Sequence, residues 1–149
     1  MTETVQLRAP SAGARVVFTL QLALLVGCLI GSLGLLLSAM NRTGDYAAFF
    51  HPGVDRLGDP KDAMTPIGPE SMGNPLLWIF GVSRVVAFFV RPLALALTAL
   101  GIAFLATCWR AGNGRAVHVV AVISTAAWLA VGALALTPYG AGLLGWLLD

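Results

Sequence analysis

Long uncharged apolar runs, separated by short polar segments, dominate the pattern along this chain. Val16 to Met40 is free of charge for 25 residues, whereas a helix needs about 20 apolar residues to cross a bilayer. Two further uncharged runs follow it. A secretory signal has an apolar region of only about 7–15 residues, so we expect the first run to be retained. The pattern therefore predicts three transmembrane helices, over residues 16–40, 92–109 and 117–137.

A fourth apolar segment, residues 75–91, differs because it carries Arg84 and Arg91 at a spacing of seven residues. On a helix this spacing places both arginines on nearly the same face. An arginine at the centre of a bilayer costs about 2.5–3.5 kcal/mol on the insertion scale. We therefore predict an amphipathic helix that lies in the membrane interface, with its arginines toward water or lipid phosphate and a kink at Pro92. Arg84, Arg91 and Trp78 are predicted to contact lipid, including anionic headgroups, or a partner protein.

Residues 41–74 have a different composition, with four prolines, five glycines and charges of both signs. This density of proline and glycine excludes a long helix. An irregular loop of this length is usually functional or ordered by other contacts, so we expect it to lie over a partner. Residues 138–149 are too short to span a membrane and are predicted to form an external interfacial tail.

Three spans place the two termini on opposite sides of the membrane. The tail of residues 1–15 and the turn of residues 110–116 share one side and hold four arginines. The positive-inside rule predicts that tail and turn are cytoplasmic and that the loop 41–74 is external. Arginine far exceeds lysine and alanine is frequent, which is typical of GC-rich bacterial genomes. We therefore expect a bacterial plasma membrane with the N-terminus in the cytoplasm.

Composition agrees with membrane integration. Hydrophobic residues make up 58% of the chain and charged residues only 11%, whereas soluble domains carry about 25% charged residues. The net charge of +2 is too small to indicate nucleic acid as a partner. The predicted fold is an all-α integral membrane protein with three transmembrane helices, an interfacial amphipathic helix and a long Pro/Gly-rich extramembrane loop.

Small residues recur at helical spacing in the first and third predicted spans. Helices in lipid associate through close packing, which small side chains permit. The predicted helix-packing interface consists of Gly27, Gly31, Gly34, Ser38, Ala126, Ala130 and Ala133. These residues fit either the packing of this chain's own helices or docking against a partner helix, and both can hold on different faces.

Candidate ligands for metals or cofactors are few. His51 and His118 fall on opposite sides of the predicted topology, so we do not expect one haem to take both from this chain. Asp55, Asp59 and Asp62 lack the alternate spacing of a calcium-binding loop. The predicted spans carry no acid or base at mid-membrane depth, where transporters place such groups. We therefore predict no cofactor, no metal site and no enzymatic activity.

Three other side chains draw attention within the spans. Cys28 and Cys108 lie at different predicted depths, so we expect two buried free thiols and no disulfide. Trp128 lies mid-span, where we expect it to fill a groove between helices and to donate its indole N–H to Ser124.

The preferred hypothesis is a non-catalytic accessory or assembly subunit of a larger bacterial membrane complex, respiratory or otherwise energy-transducing. Other membrane subunits and the lipid bilayer are the expected partners. Two alternatives stay open. One is a membrane anchor of a redox enzyme, close to a quinone or haem, that uses His118 or the arginine surface. The other is a free-standing small homo-oligomer.

Overall fold

The computed structural model describes residues 12–63, 73–110 and 114–149, except for the side chain of Leu76. Within these ranges the chain is helical and contains no strand, which confirms the all-α prediction. The helices are α1 Ala12–Leu29, α2 Leu35–Thr43, α3 Val54–Leu57, α4 Pro75–Phe88, α5 Val90–Arg110, α6 Arg115–Ala135 and α7 Pro138–Leu148. Three parts of the predicted topology lie outside the described residues. They are residues 1–11 of the tail, 64–72 of the loop and 111–113 of the turn.

Three of these helices are long and apolar enough to cross a membrane. A π-helical turn over Ile30–Gly34 joins α1 to α2, so Ala12–Thr43 is one helix of 32 residues. α5 and α6 have 21 residues each, or about 31 Å at 1.5 Å per residue. The first two predicted spans fall within these helices, whereas the third, residues 117–137, extends two residues past the end of α6. The fold is compatible with a multi-pass membrane protein.

α5 and α6 form a tightly packed antiparallel hairpin. A methyl group added to Gly101 would collide with the side chain of Thr125, and one added to Gly132 would lie 3.0 Å from the Cβ atom of Ala94. From Ala94 to Gly101 the residue numbers rise along α5, while the partners on α6 fall from Gly132 to Thr125, so the two helices are antiparallel. Glycines at both ends of the contact therefore bring the two backbones close together.

α4 packs antiparallel along the second half of the first long helix. A Cβ atom on Gly31 would collide with the backbone of Ser83, and one on Gly34 would lie 3.6 Å from the ring of Phe80. Residue numbers thus fall along α4 as they rise along the first helix. The predicted interfacial position of this helix stays a prediction, but its neighbour is the first span itself.

Only Phe89 separates α4 from α5, and the backbone hydrogen bonds continue through it. The Phe89 N–H donates to the Val85 carbonyl at 3.3 Å, and the Leu93 N–H donates to the Phe89 carbonyl at 3.0 Å. Pro92 has no N–H to offer the carbonyl of Phe88, which accounts for an interruption at this point. The interruption therefore falls at Phe89, three residues before the proline, and the expected kink caused by Pro92 stays a prediction.

Residues 45–63 fold back onto the helices instead of forming an irregular loop. They contain α3 and two 3₁₀ turns, Tyr46–Phe49 and Pro60–Ala63. α2 ends at Gly44, whose φ of 74° is the left-handed conformation that glycine adopts readily at a helix end. Ala48 and Leu57 belong to this segment, and both are fully buried.

α7 lies between α4 and residues 45–63. It starts at Thr137, whose hydroxyl accepts a hydrogen bond from the Gly140 N–H at 3.1 Å. The buried core at this end of the molecule contains Leu35, Leu36, Ala39, Met40, Ala48, Leu57, Ala87, Leu143, Trp146 and Leu147. We call α2, α4, α7 and residues 45–63 the end layer. The predicted external tail 138–149 is thus largely a packed helix of this layer.

Candidate functional site

The two arginines seven residues apart both bind the carbonyl ends of other helices. Arg84 Nε donates to the Leu147 carbonyl at 2.9 Å, and its Nη2 donates to the same oxygen. Arg91 Nε donates to the Ala135 carbonyl at 3.2 Å. Leu147 and Ala135 lie in the last turns of α7 and α6. The last carbonyls of a helix lack intrahelical partners and favour a nearby cation, so one face of α4 and α5 caps two helices.

The outward face of α4 is apolar. Its exposed large side chains are Trp78, Ile79, Val82, Val85 and Phe88. Arg84 is half-buried, and its guanidinium group donates to the Leu147 carbonyl of α7. Arg91 is exposed apart from its bond to Ala135. Contact of Arg84, Arg91 and Trp78 with lipid or a partner protein stays a prediction.

Two apolar clefts border the arginines. The first, of about 370 Å³, lies between α4 and α7 beside Arg84. The second, of about 290 Å³, lies between α5 and α6 beside Arg91. Each cleft therefore combines one guanidinium group with hydrocarbon walls.

A buried amide on α1 joins the three long helices. Gln21 is only 2% exposed. Its Nε2 donates to the Leu97 carbonyl at 2.9 Å, and its Oε1 accepts from the Ser124 hydroxyl at 2.7 Å. Its backbone carbonyl accepts from Trp128 Nε1 at 3.1 Å. Hydrogen bonds of this kind hold helices together and fix their register.

Gln21 was not among the predicted site residues, although a single amide within a long apolar run is a readable signal for such a contact. The predicted groove-filling role of Trp128 is confirmed, because its side chain is fully buried. The predicted acceptor, Ser124, is wrong, since the indole N–H reaches across to α1. A 240 Å³ cleft lies beside Gln21 and Ser124, with Arg15 at its edge.

The predicted packing interface divides into two halves. On the first helix, a Cβ atom on Gly27 would lie 3.6 Å from Val86, Gly31 and Gly34 face α4, and the Ser38 hydroxyl donates to the Ala63 carbonyl at 2.9 Å. These four residues serve contacts within the chain. On α6, by contrast, the exposed residues include Ala126, Ala130 and Ala133.

Residues 45–63 are held by side chains of this chain. Arg56 binds both oxygens of Asp45, at 2.8 and 2.9 Å, and Trp146 Nε1 donates to the Gly58 carbonyl at 2.9 Å. Arg42 Nη2 donates to the Leu57 carbonyl at 3.3 Å. Residues 45–63 are therefore ordered by contacts within the chain, and the expectation that the loop lies over a partner stays a prediction.

Asp59 and Asp62 of the loop pair with neighbouring bases. Asp59 accepts from the Lys61 backbone N–H at 2.8 Å, and this bond is the main reason that the pKa of Asp59 is lowered. Lys61 Nζ lies 3.4 Å from Asp59 and also donates to the backbone carbonyl oxygen of Asp149 at 2.7 Å. Asp62 lies 3.5 Å from Arg42. These pairs fix the segment to itself and to the end of α7.

The two histidines belong to different parts of the fold. His118 Nδ1 is 3.4 Å from the Gly114 carbonyl at the start of α6, whereas His51 follows the first 3₁₀ turn in the end layer. Among the described residues, no group of three or more His, Cys, Asp and Glu side chains is placed to bind a metal ion. Cys28 and Cys108 are free and buried, as predicted.

No family model, no curated protein and no solved structure matches this chain.

Proposed function

We propose that this chain is a non-catalytic membrane subunit that docks against partner helices through the outer faces of α5 and α6. The observation that supports this most strongly is the division of its small residues. α4 occupies the space beside the glycines of the first helix, whereas Ala126, Ala130 and Ala133 of α6 are exposed. Exposed alanines on α5 are Ala96, Ala99, Ala103 and Ala106. Small residues on a lipid-facing surface let another helix approach closely.

The membrane placement in this proposal follows from helix length and charge. α5 and α6 match the ~30 Å apolar core of a bilayer. One end of this pair carries Arg110 and Arg115, close in sequence to the turn, and Arg15 of α1 lies near the same end. The positive-inside rule puts this end in the cytoplasm and the end layer outside. A bacterial plasma membrane and an energy-transducing complex remain our preferred setting.

The buried polar groups support a packing role over a chemical one. Gln21 is the most buried of them. Its amide nitrogen donates to α5, and its amide oxygen accepts from α6. Thr125 donates to the Ala121 carbonyl of its own helix at 2.7 Å. Such bonds stabilise a helix bundle, and these polar groups already have hydrogen-bond partners within it.

Co-purification tests the proposal directly. The tagged full-length chain is extracted from native membranes in mild detergent, and a photo-crosslinking residue at position 130 identifies what lies against α6. A defined partner protein should crosslink and co-purify in a fixed ratio. Ala130→Leu should weaken this association at least severalfold, whereas Leu20→Phe, which adds bulk to an exposed position of α1, should not.

Two results would overturn this assignment. If the crosslinks at position 130 join only copies of this chain, the protein is a homo-oligomer that uses the same face. If a visible absorption band co-purifies with the chain and changes in His118→Ala, the alternative of a redox-enzyme anchor gains support.

A further inference from the structure

One face of α4 continues across Phe89 onto α5. It consists of Arg84, Phe88, Arg91, Leu95 and Thr98, at intervals of four, three, four and three residues, which is the spacing of a single helical face. The cleft beside α7 borders its first half, and the cleft beside α6 borders its second half. Each half of the face therefore lines a separate cleft, and each cleft contains one arginine.

The cleft between α5 and α6 is polar at one end only. Arg91 lies at the end of α6, where it binds Ala135. From there the cleft extends along the two helices past Leu95 and Leu129 toward Trp128. Its charge thus lies at the end of the predicted span, and its apolar walls lie inside the span. A phospholipid has the same order of phosphate and acyl chain.

Arg91 retains hydrogen-bonding capacity for such a ligand. A guanidinium group has five N–H donors, and among the described residues its one acceptor is the Ala135 carbonyl, bound through Nε. The side chain is exposed, and none of the salt bridges among the described residues involves it. Its two Nη groups can therefore bind a phosphate in the bidentate geometry that arginine favours.

The charge around the clefts selects the kind of lipid. Among the described residues, no aspartate or glutamate lines either cleft. The nearby carboxylates Asp45, Asp59 and Asp62 are each paired with a base of the end layer. A zwitterionic headgroup would bring its ammonium group beside Arg91, and no carboxylate among the described lining residues of that cleft would receive it, whereas an anionic glycerol headgroup carries no ammonium group.

We propose that the α5–α6 cleft binds an anionic glycerophospholipid, with its phosphate on Arg91 and one acyl chain along the cleft toward Trp128. This site lies within a single chain and does not depend on the partner protein proposed above.

A lipid titration of the purified full-length protein tests this site. The protein in non-ionic detergent is titrated with phosphatidylglycerol or with phosphatidylcholine of the same acyl chains, and bound lipid is counted by native mass spectrometry. Phosphatidylglycerol should bind more tightly. Arg91→Gln should weaken it about tenfold, since a charge-assisted hydrogen bond is lost. Arg110→Gln removes the same charge from an exposed position at the other end of α5 and should leave the affinity unchanged.

A second variant separates binding from folding. Thr98→Phe fills the cleft without touching the arginine, and it should also weaken phosphatidylglycerol binding, whereas Ala103→Phe, at an exposed position outside the cleft, should not. Three results would overturn the proposal. They are equal affinity for the two lipids, equal losses in Arg91→Gln and Arg110→Gln, or full competition by inorganic phosphate together with normal binding in Thr98→Phe, which would indicate a simple anion site.

Discussion

Replacement of Gly31 by alanine tests the close approach of the first helix to α4. The added Cβ atom would overlap the carbonyl group of Ser83 and the backbone nitrogen of Arg84. Backbone atoms within a helix cannot rotate aside as a long side chain can, so α4 must shift as a whole. Such a shift also disturbs the bond from Arg84 to Leu147 at the end of α7.

The expected size of this effect follows from two opposing terms. Overpacking in a well-packed core costs about 1–3 kcal/mol, and the lost arginine bond adds to this cost. Replacing a helical glycine by alanine returns about 0.5–1 kcal/mol. We therefore expect Gly31→Ala to lower the free energy of unfolding by about 2 kcal/mol.

Gly81→Ala is the matched control for this measurement. Gly81 lies in the middle of α4, and a Cβ atom there would have no neighbour within 4 Å among the described residues. This variant should gain about 0.5–1 kcal/mol from helix propensity alone. Both variants are unfolded with denaturant in detergent micelles and followed by circular dichroism. If Gly31→Ala proves as stable as Gly81→Ala, the close contact between the two helices is wrong.

Three further predictions concern single side chains. Gln21→Leu should lower the free energy of unfolding by about 1 kcal/mol. The variant loses the bonds to the Leu97 carbonyl and to the Ser124 hydroxyl, and such interhelical bonds contribute about 0.6 kcal/mol each on average. An unchanged free energy of unfolding would refute the bridging role. Tyr139→Phe should be neutral or stabilising by up to about 1 kcal/mol, since the buried hydroxyl, whose pKa burial raises, has no hydrogen-bond partner among the described residues; a loss of stability in the same assay would contradict this. The lowered pKa of Asp59 means that its carboxylate contributes stability above the ordinary aspartate pKa and that this is lost as pH falls through the lowered value. Acid titration should therefore destabilise the parent chain more than Asp59→Asn, and parallel curves would contradict the hydrogen bond from Lys61.

The pattern of apolar and polar residues determined the number and approximate limits of the long helices. This information is local, because a helix of membrane length needs only an uninterrupted apolar run. The run from Val16 to Met40 and the two later runs therefore predicted the long helices, whereas α7 was expected only as an interfacial tail. The burial of both cysteines followed from the same runs.

Only the tertiary structure decided what the arginines bind. Arg84 and Arg91 meet carbonyl groups that lie 63 and 44 positions away along the chain, and nothing in the local pattern shows which helix end will arrive beside them. The sequence showed that these charges need a polar partner, since an isolated guanidinium in hydrocarbon is unfavourable. It did not show that the chain's own helix ends supply that partner.

Tertiary structure also decided which small-residue face is filled. The glycines of the first helix and the alanines of α6 look alike in sequence, because in a span both the packed face and the outward face are apolar. The folded chain presses α4 against Gly31 and leaves Ala130 exposed. In a soluble protein, polarity would have distinguished the two faces. In an apolar span, the difference arises only when the helices meet.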